Sequence, residues 1–235
     1  MAIFSLFAGV IFTVLFLSKR KAEVPLKLVI VKGIASFGFI FTGLFSFLEN
    51  DKCPPLVGVM VLIGAFFGLL GDVTLDLKYV YKNDADTYLR LGFSVFLIGH
   101  IFYSIAFASL YGIELKNVLL GFVGAAFNLF FVFISEKITN VLYGKYKGIT
   151  TLYAIILGFS VGLGFSYIFT EGFMVQTIMY YVGMFLFFLS DGLLSVIYFS
   201  TKEKERTNRG IIVLNHLVYY LAQYMIAVSV MFIKR

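Results

Sequence analysis

Eight apolar runs of spanning length, separated by short polar stretches, constrain this chain more than any other feature of its sequence. A bilayer core about 30 Å thick takes about 20 mostly apolar residues in a helix. Within lipid, such a helix is one of the two structures that pair all of their own backbone polar groups. The runs fall near 2–17, 28–48, 55–75, 89–110, 117–135, 148–169, 175–199 and 211–233. The expected fold is all-α: a polytopic integral membrane protein of eight transmembrane helices, with residues 1–235 forming a single helical-bundle domain. Hydrophobic residues make up 60% of the chain and charged residues 14%, which excludes an ordinary soluble domain. The first run has no basic residue ahead of it and Lys19-Arg20-Lys21 behind it, the reverse of a secretory signal, so it is read as a retained span.

Charge placement tests the count and gives an orientation. Alternate loops carry Lys19, Arg20, Lys21 and Lys27; then Lys78, Lys82 and Arg90; then Lys137, Lys145 and Lys147; then Lys202, Lys204, Arg206 and Arg209. The opposite side has only Lys52, Lys116, Lys234 and Arg235. The positive-inside rule therefore predicts both termini on the non-cytoplasmic side and the four basic loops in the cytoplasm. The net charge of +6 is accounted for by these topology signals, so no nucleic-acid partner is expected. A single cysteine, Cys53, excludes an internal disulfide and a cysteine-based zinc site. The host membrane is expected to be a bacterial cell membrane, or the endoplasmic reticulum membrane in a eukaryote.

Polar residues within the spans are the functional candidates, because an ionisable group at bilayer depth costs about 2.5–3.5 kcal/mol on insertion scales and needs a partner or a wet cavity. Lys32 is placed about one turn inside the second span, Asp72 about one turn from the basic end of the third, and His100 near the middle of the fourth. Asn128 lies in the fifth span, Tyr153 in the sixth, and Asp191 about two turns from the basic end of the seventh. Asn215, His216, Tyr219, Tyr220 and Gln223 occupy the eighth. Nearly all share one half of the membrane, which points to a common polar cavity opening toward the cytoplasm. The alternative is that Lys32 and Asp72 snorkel to the interface and His100 only packs. Asp72, His100 and Asp191 each follow a small residue (Gly71, Gly99, Ser190) and a glycine eight positions earlier (Gly64, Gly92, Gly183), a pattern that lets helices approach closely.

Two carboxyls in unlike environments divide acid and base roles, and Asp72 with Asp191 are the expected catalytic pair. Neither a Gly-x-Ser-x-Gly elbow nor metal-ligand spacing of His, Cys or acids is present, so no metal and no cofactor are expected. The short Gly158 to Gly164 segment is read as packing, not as a phosphate loop.

The segments GLLGDVTLDL (68–77), GFSVFLIGHIFYSIAF (92–107), GMFLFFLSDGLLSVIYF (183–199) and HLVYYLAQYMIA (216–227), in this order, resemble the YhhN family of eight-span membrane proteins, which includes the animal lysoplasmalogenases. The family's Lys-Pro at the start of the second span is represented by Lys27 or Lys32, with the proline displaced to Pro25. The resemblance implies hydrolysis of the vinyl-ether bond of a lysoplasmalogen, or a related lysolipid, to a fatty aldehyde and a glycerophospho-alcohol. It implies Asp72 and Asp191 as acid and base, a lysophospholipid substrate and contact with membrane lipids. On that reading Lys32, His100, Asn128, Tyr153, Asn215, Tyr219, Tyr220 and Gln223 contact substrate or water, with Lys32 favouring the phosphate. The competing reading is a non-enzymatic lipid or small-solute transporter or binding protein that uses the same polar site.

Overall fold

In a computed structural model, which describes residues 1–234, the chain folds into eight helices long and apolar enough to cross a membrane. Arg235, one of the cations counted on the poorer side, lies outside the described residues. The helices are α1 (Ala2–Lys19), α2 (Leu26–Leu48), α3 (Pro55–Val80), α4 (Ala85–Tyr111), α5 (Leu115–Ile138), α6 (Lys147–Glu171) and α7 (Val175–Phe199), then a single turn α8 (Glu203–Arg206) and the last span α9 (Arg209–Ser229). The chain is an integral membrane protein, and among the described residues its regular structure is helical apart from one isolated bridge between Val141 and Ser200.

Local chemistry sets the ends. Pro55 opens α3 in its first turn, where a missing N–H costs nothing. Asn208 caps α9 by accepting from Gly210 N at 2.9 Å and Ile211 N at 3.2 Å. Gly112 and Gly172 stop α4 and α6 at φ of 80° and 89°, a conformation other residues rarely adopt.

The helices pack most closely as four antiparallel pairs: α1 with α2, α3 with α4, α5 with α6, and α7 with α9. The glycines mark these contacts. A Cβ at Gly99 would lie 3.1 Å from the Gly64 carbonyl, bringing α4 onto α3, and Gly183 makes room for Ile226 of α9. Gly158 packs against α5, where a Cβ would meet Ala125 Cα and Asn128 Cβ at 2.8 Å. α5 itself packs almost wholly on α6 and presents Phe122, Val123, Phe127 and Phe130 outward, as a lipid-facing helix does.

Six spans have both ends within three residues of those expected, the last being continued by a short turn to Phe232, and α4 begins four residues early. The exception is the end of the third span. The apolar run stops before Asp76, but the helix continues to Val80 because Asp76 is fully buried and paired. Asp72 is thus about two turns from the helix end, roughly 12 Å at 1.5 Å per residue. That brings it level with Asp191, a similar distance from the end of α7.

Replacing Gly158 by Ala is expected to destabilise the α5–α6 pair by about 1–3 kcal/mol through overpacking. Thermal unfolding in detergent reads this as a lower apparent Tm. The matched change Gly192→Ala, with nothing within 4 Å of the new Cβ, should leave it unchanged.

Candidate functional site

The polar centre begins with two i,i+4 pairs, Lys32 and Ser36 on α2 and Asp72 and Asp76 on α3, each pair sharing one helix face. Where these faces meet, Lys32 Nζ lies 3.2 Å from Asp72 Oδ1 and 3.5 Å from Asp76 Oδ2. It also donates to the Asp72 carbonyl at 3.1 Å. Arg20, in extended conformation just past α1, turns its guanidinium inward and grips Asp76 with both terminal nitrogens at 3.0 and 3.3 Å. Phe16 and Tyr79 lie against that guanidinium, each with its ring centroid 5.9 Å away. All four charged side chains are buried, with two positive and two negative, so the cluster is neutral.

Asp72 also receives neutral donors. Ser36 Oγ donates to its Oδ2 at 2.6 Å, and the Tyr219 hydroxyl lies 2.9 Å from the same oxygen. Behind them, Tyr103 donates to Gln223 Oε1 at 2.5 Å, and Gln223 Nε2 donates to the Tyr219 hydroxyl at 3.0 Å. Tyr220 stands 3.0 Å from Ser36 Oγ and 3.3 Å from the Lys32 carbonyl. Gly68 lets Tyr219 and Gln223 reach α3, since a Cβ there would lie 3.3 Å from Gln223 Cδ.

Asp191 has a different setting. It is only partly buried, its Oδ2 has no hydrogen-bond partner, and no cation lies within 4 Å of it among the described residues. Asp72 and Asp191 line one chamber of about 30 Å³, together with Tyr153, Tyr219, His216 and Lys32. That volume holds roughly one or two waters. The two carboxyls therefore face the same space, one with its charge compensated and the other without.

Asp191 and Tyr153 also line a second and larger space, an apolar groove of about 530 Å³ between α5, α6 and α7. It exists because α5 leans on α6 and leaves the flank of α7 open, with Phe131 set edge-on against Phe188 across the gap. Gly192, beside Asp191, has nothing within 4 Å of a Cβ and keeps the groove clear at that point. In place of one wide polar cavity there is a small polar chamber beside an apolar groove, with Tyr153 and Asp191 lining both. The polar side chains tie up one another and fill most of their own space.

The other expected site residues divide by position. Asn215 lines the chamber but spends its amide on Ser190, donating to the carbonyl at 2.7 Å and to the hydroxyl at 3.0 Å. Asn128 lines the groove and donates to the Ala154 carbonyl at 3.0 Å. His100 lies behind Tyr153, its Nε2 2.9 Å from the Tyr153 hydroxyl, and Tyr220 and Gln223 lie behind Asp72. Lys27 is exposed, so Lys32 is the lysine that reaches the acids. Lys32 does not snorkel, since both acids hold it inside.

Arg20, Ser36 and Asp76 were not among the expected site residues. The signal for two of them was available as i,i+4 spacing from Lys32 and Asp72. Arg20 is masked by its two basic neighbours.

No three His, Cys, Asp or Glu side chains converge to hold a metal ion among the described residues. Cys53 is buried in the α2–α3 loop, where burial pushes its thiol up to about 11, and it lies at the bundle end opposite the acids.

The family model of the YhhN family matches residues 54–230. The chain belongs to the YhhN family. The matched stretch contains Asp72, Asp76, Asp191 and the α9 tyrosines, whereas Arg20, Lys32 and Ser36 precede it. No curated protein and no solved structure matches the chain. In this YhhN protein the acids of the matched region are thus completed by cations from α2 and the end of α1.

Removing one partner from a buried ion pair leaves the other uncompensated, typically at about 3–5 kcal/mol. Asp76→Asn is expected to lower the apparent Tm sharply, and adding Arg20→Gln should restore part of the loss. Equal effects of the single and double variants would contradict a direct Arg20–Asp76 coupling.

Proposed function

We propose that this protein is a membrane hydrolase that cleaves the vinyl-ether bond of a lysoplasmalogen or a related lysolipid, releasing a fatty aldehyde and a glycerophospho-alcohol. The observation that carries the reading is the pair of unlike carboxyls on one water-sized chamber, one of which, Asp191, also lines an apolar groove. Membership of the YhhN family supports the same chemistry.

Vinyl-ether cleavage needs a proton delivered to the alkene carbon, a group to face the resulting oxocarbenium ion, and a water to capture it. Asp191, with no cation to hold it as an anion, is the proton donor. Asp72, paired with Lys32, is the carboxylate that faces the cation and accepts a proton from the attacking water. The neutral hemiacetal then collapses. Its hydroxyl proton returns to Asp191, and the proton on Asp72 goes to the leaving glycerol oxygen. One water is consumed and both acids regain their starting states. The hydrocarbon chain lies in the groove, and Tyr153, lining both spaces, flanks the reacting bond. By the positive-inside rule the site opens in the cytoplasmic half of the membrane. The spans are unbroken helices, which favours this reading over a transporter.

Purified protein incubated with lysoplasmalogen is expected to release aldehyde. Asp72→Asn and Asp191→Asn should each lower kcat by about 10²-fold or more. Aldehyde release that survives both changes would overturn the aspartate mechanism. Gly192→Leu should narrow the groove and raise KM several-fold for long-chain substrates while sparing short-chain ones. Equal effects on both would place the chain elsewhere.

A further inference from the structure

A third space adjoins the chamber, sharing Tyr198 with it and no lining residue with the groove. It is a polar vestibule of about 750 Å³ at the basic end of the bundle, lined by Lys21, Lys78, Lys82 and Arg206 against the acids Glu23 and Glu203. None of the four cations is within 4 Å of a carboxylate among the described residues. Elsewhere on this face Lys145, Lys147 and Lys202 do have acidic partners. The vestibule thus gathers unspent positive charge on a concave surface, the arrangement that focuses an anion.

Tyr198 forms the partition between the two spaces, lining the vestibule on one side and the chamber on the other. Lys78 holds that ring in place, its Nζ lying 3.0 Å from the ring centroid. Vestibule, chamber and groove therefore follow one another, with one tyrosine at the first boundary and Asp191 with Tyr153 at the second. Lys32, the other cation near the chamber, is committed to Asp72 and Asp76 and is not free for an anion.

We propose that the vestibule binds the phosphate of a single-chain amphiphile whose hydrocarbon occupies the groove, with Lys82 and Arg206 as the anion-binding cations. This deepens the hydrolase reading and rests on it for the identity of the amphiphile. In a glycerophospholipid five bonds separate the ether oxygen from phosphorus, about 6 Å at ordinary bond lengths. A span of that size is comparable with the width of the one ring that separates the chamber from the vestibule.

The test uses wild-type protein and the Lys82→Ala/Arg206→Ala variant, both changes at exposed positions, in nanodiscs of phosphatidylcholine alone. Binding of a saturated, non-cleavable alkyl-lysophosphatidylcholine is compared with that of the alkylglycerol of equal chain length. The variant is expected to lose about tenfold in affinity for the phosphorylated ligand, as loss of charge-assisted hydrogen bonds requires, with alkylglycerol binding unchanged. Equal losses for both ligands, or none, would overturn the proposal. Inorganic phosphate that displaced the lysolipid at equal concentration would also overturn it, by making this a free-phosphate site. Lysoplasmalogen turnover is measured separately. Ligand discrimination without aldehyde release would remove the hydrolase reading and leave the phosphate site standing, whereas aldehyde release without discrimination would do the reverse.

Discussion

The salt bridges of Lys32 to Asp72 and Asp76 are the interaction on which the rest of the site depends. Four ionisable side chains within a lipid-embedded bundle are tolerable only if their formal charges cancel and their remaining donors and acceptors are met. Arg20 completes the cancellation at one end of the cluster, and Ser36 with Tyr219 saturates Asp72 at the other. The cluster joins α2 to α3 and, through Arg20 and Tyr219, to the end of α1 and to α9. It also separates the two aspartates chemically. Asp72 has its charge fixed by a lysine, whereas Asp191 faces the same chamber with no cation beside it.

The three spaces follow from how the helices pair. Close packing of α3 on α4 and of α7 on α9 leaves only a small void where their polar faces meet. The looser seating of α5, which packs almost wholly on α6, opens the apolar groove beside it. The vestibule arises where the segment after α1, the end of α3 and the α7–α9 connection converge, and this brings cations from three separate basic loops onto one concave face. Charges that serve topology in the sequence are thus gathered around one space once the loops are brought together. An amphiphile with an anionic head, a short polar backbone and one chain matches the resulting order of environments.

Much of the fold was legible because lipid makes strong demands on sequence. Runs of spanning length and the alternation of basic loops gave eight helices with little ambiguity, and small residues before Asp72, His100 and Asp191 fell where helices touch. The site was legible in part. Asp72, Asp191, Tyr153 and Tyr219 were recognisable as polar residues at shared depth, and they do share one chamber. Asp76 was hidden because a charge at the end of an apolar run looks like a loop, whereas its pairing with Arg20 and Lys32 lets the helix continue. Arg20 was hidden among neighbouring cations that read as topology signals. The role given to Lys32 as a phosphate contact could not be judged from depth alone, since only the folded chain reveals that two acids already hold it.

The most direct measurement is an experimental structure of the protein with a saturated alkyl-lysophospholipid bound. The alkyl chain is expected along the groove between α5 and α7, the ether oxygen between Asp191 and Asp72, and the phosphate beyond Tyr198. A lipid seated on any other face of the bundle, or an ether oxygen kept from both carboxyls by packed side chains, would contradict this placement.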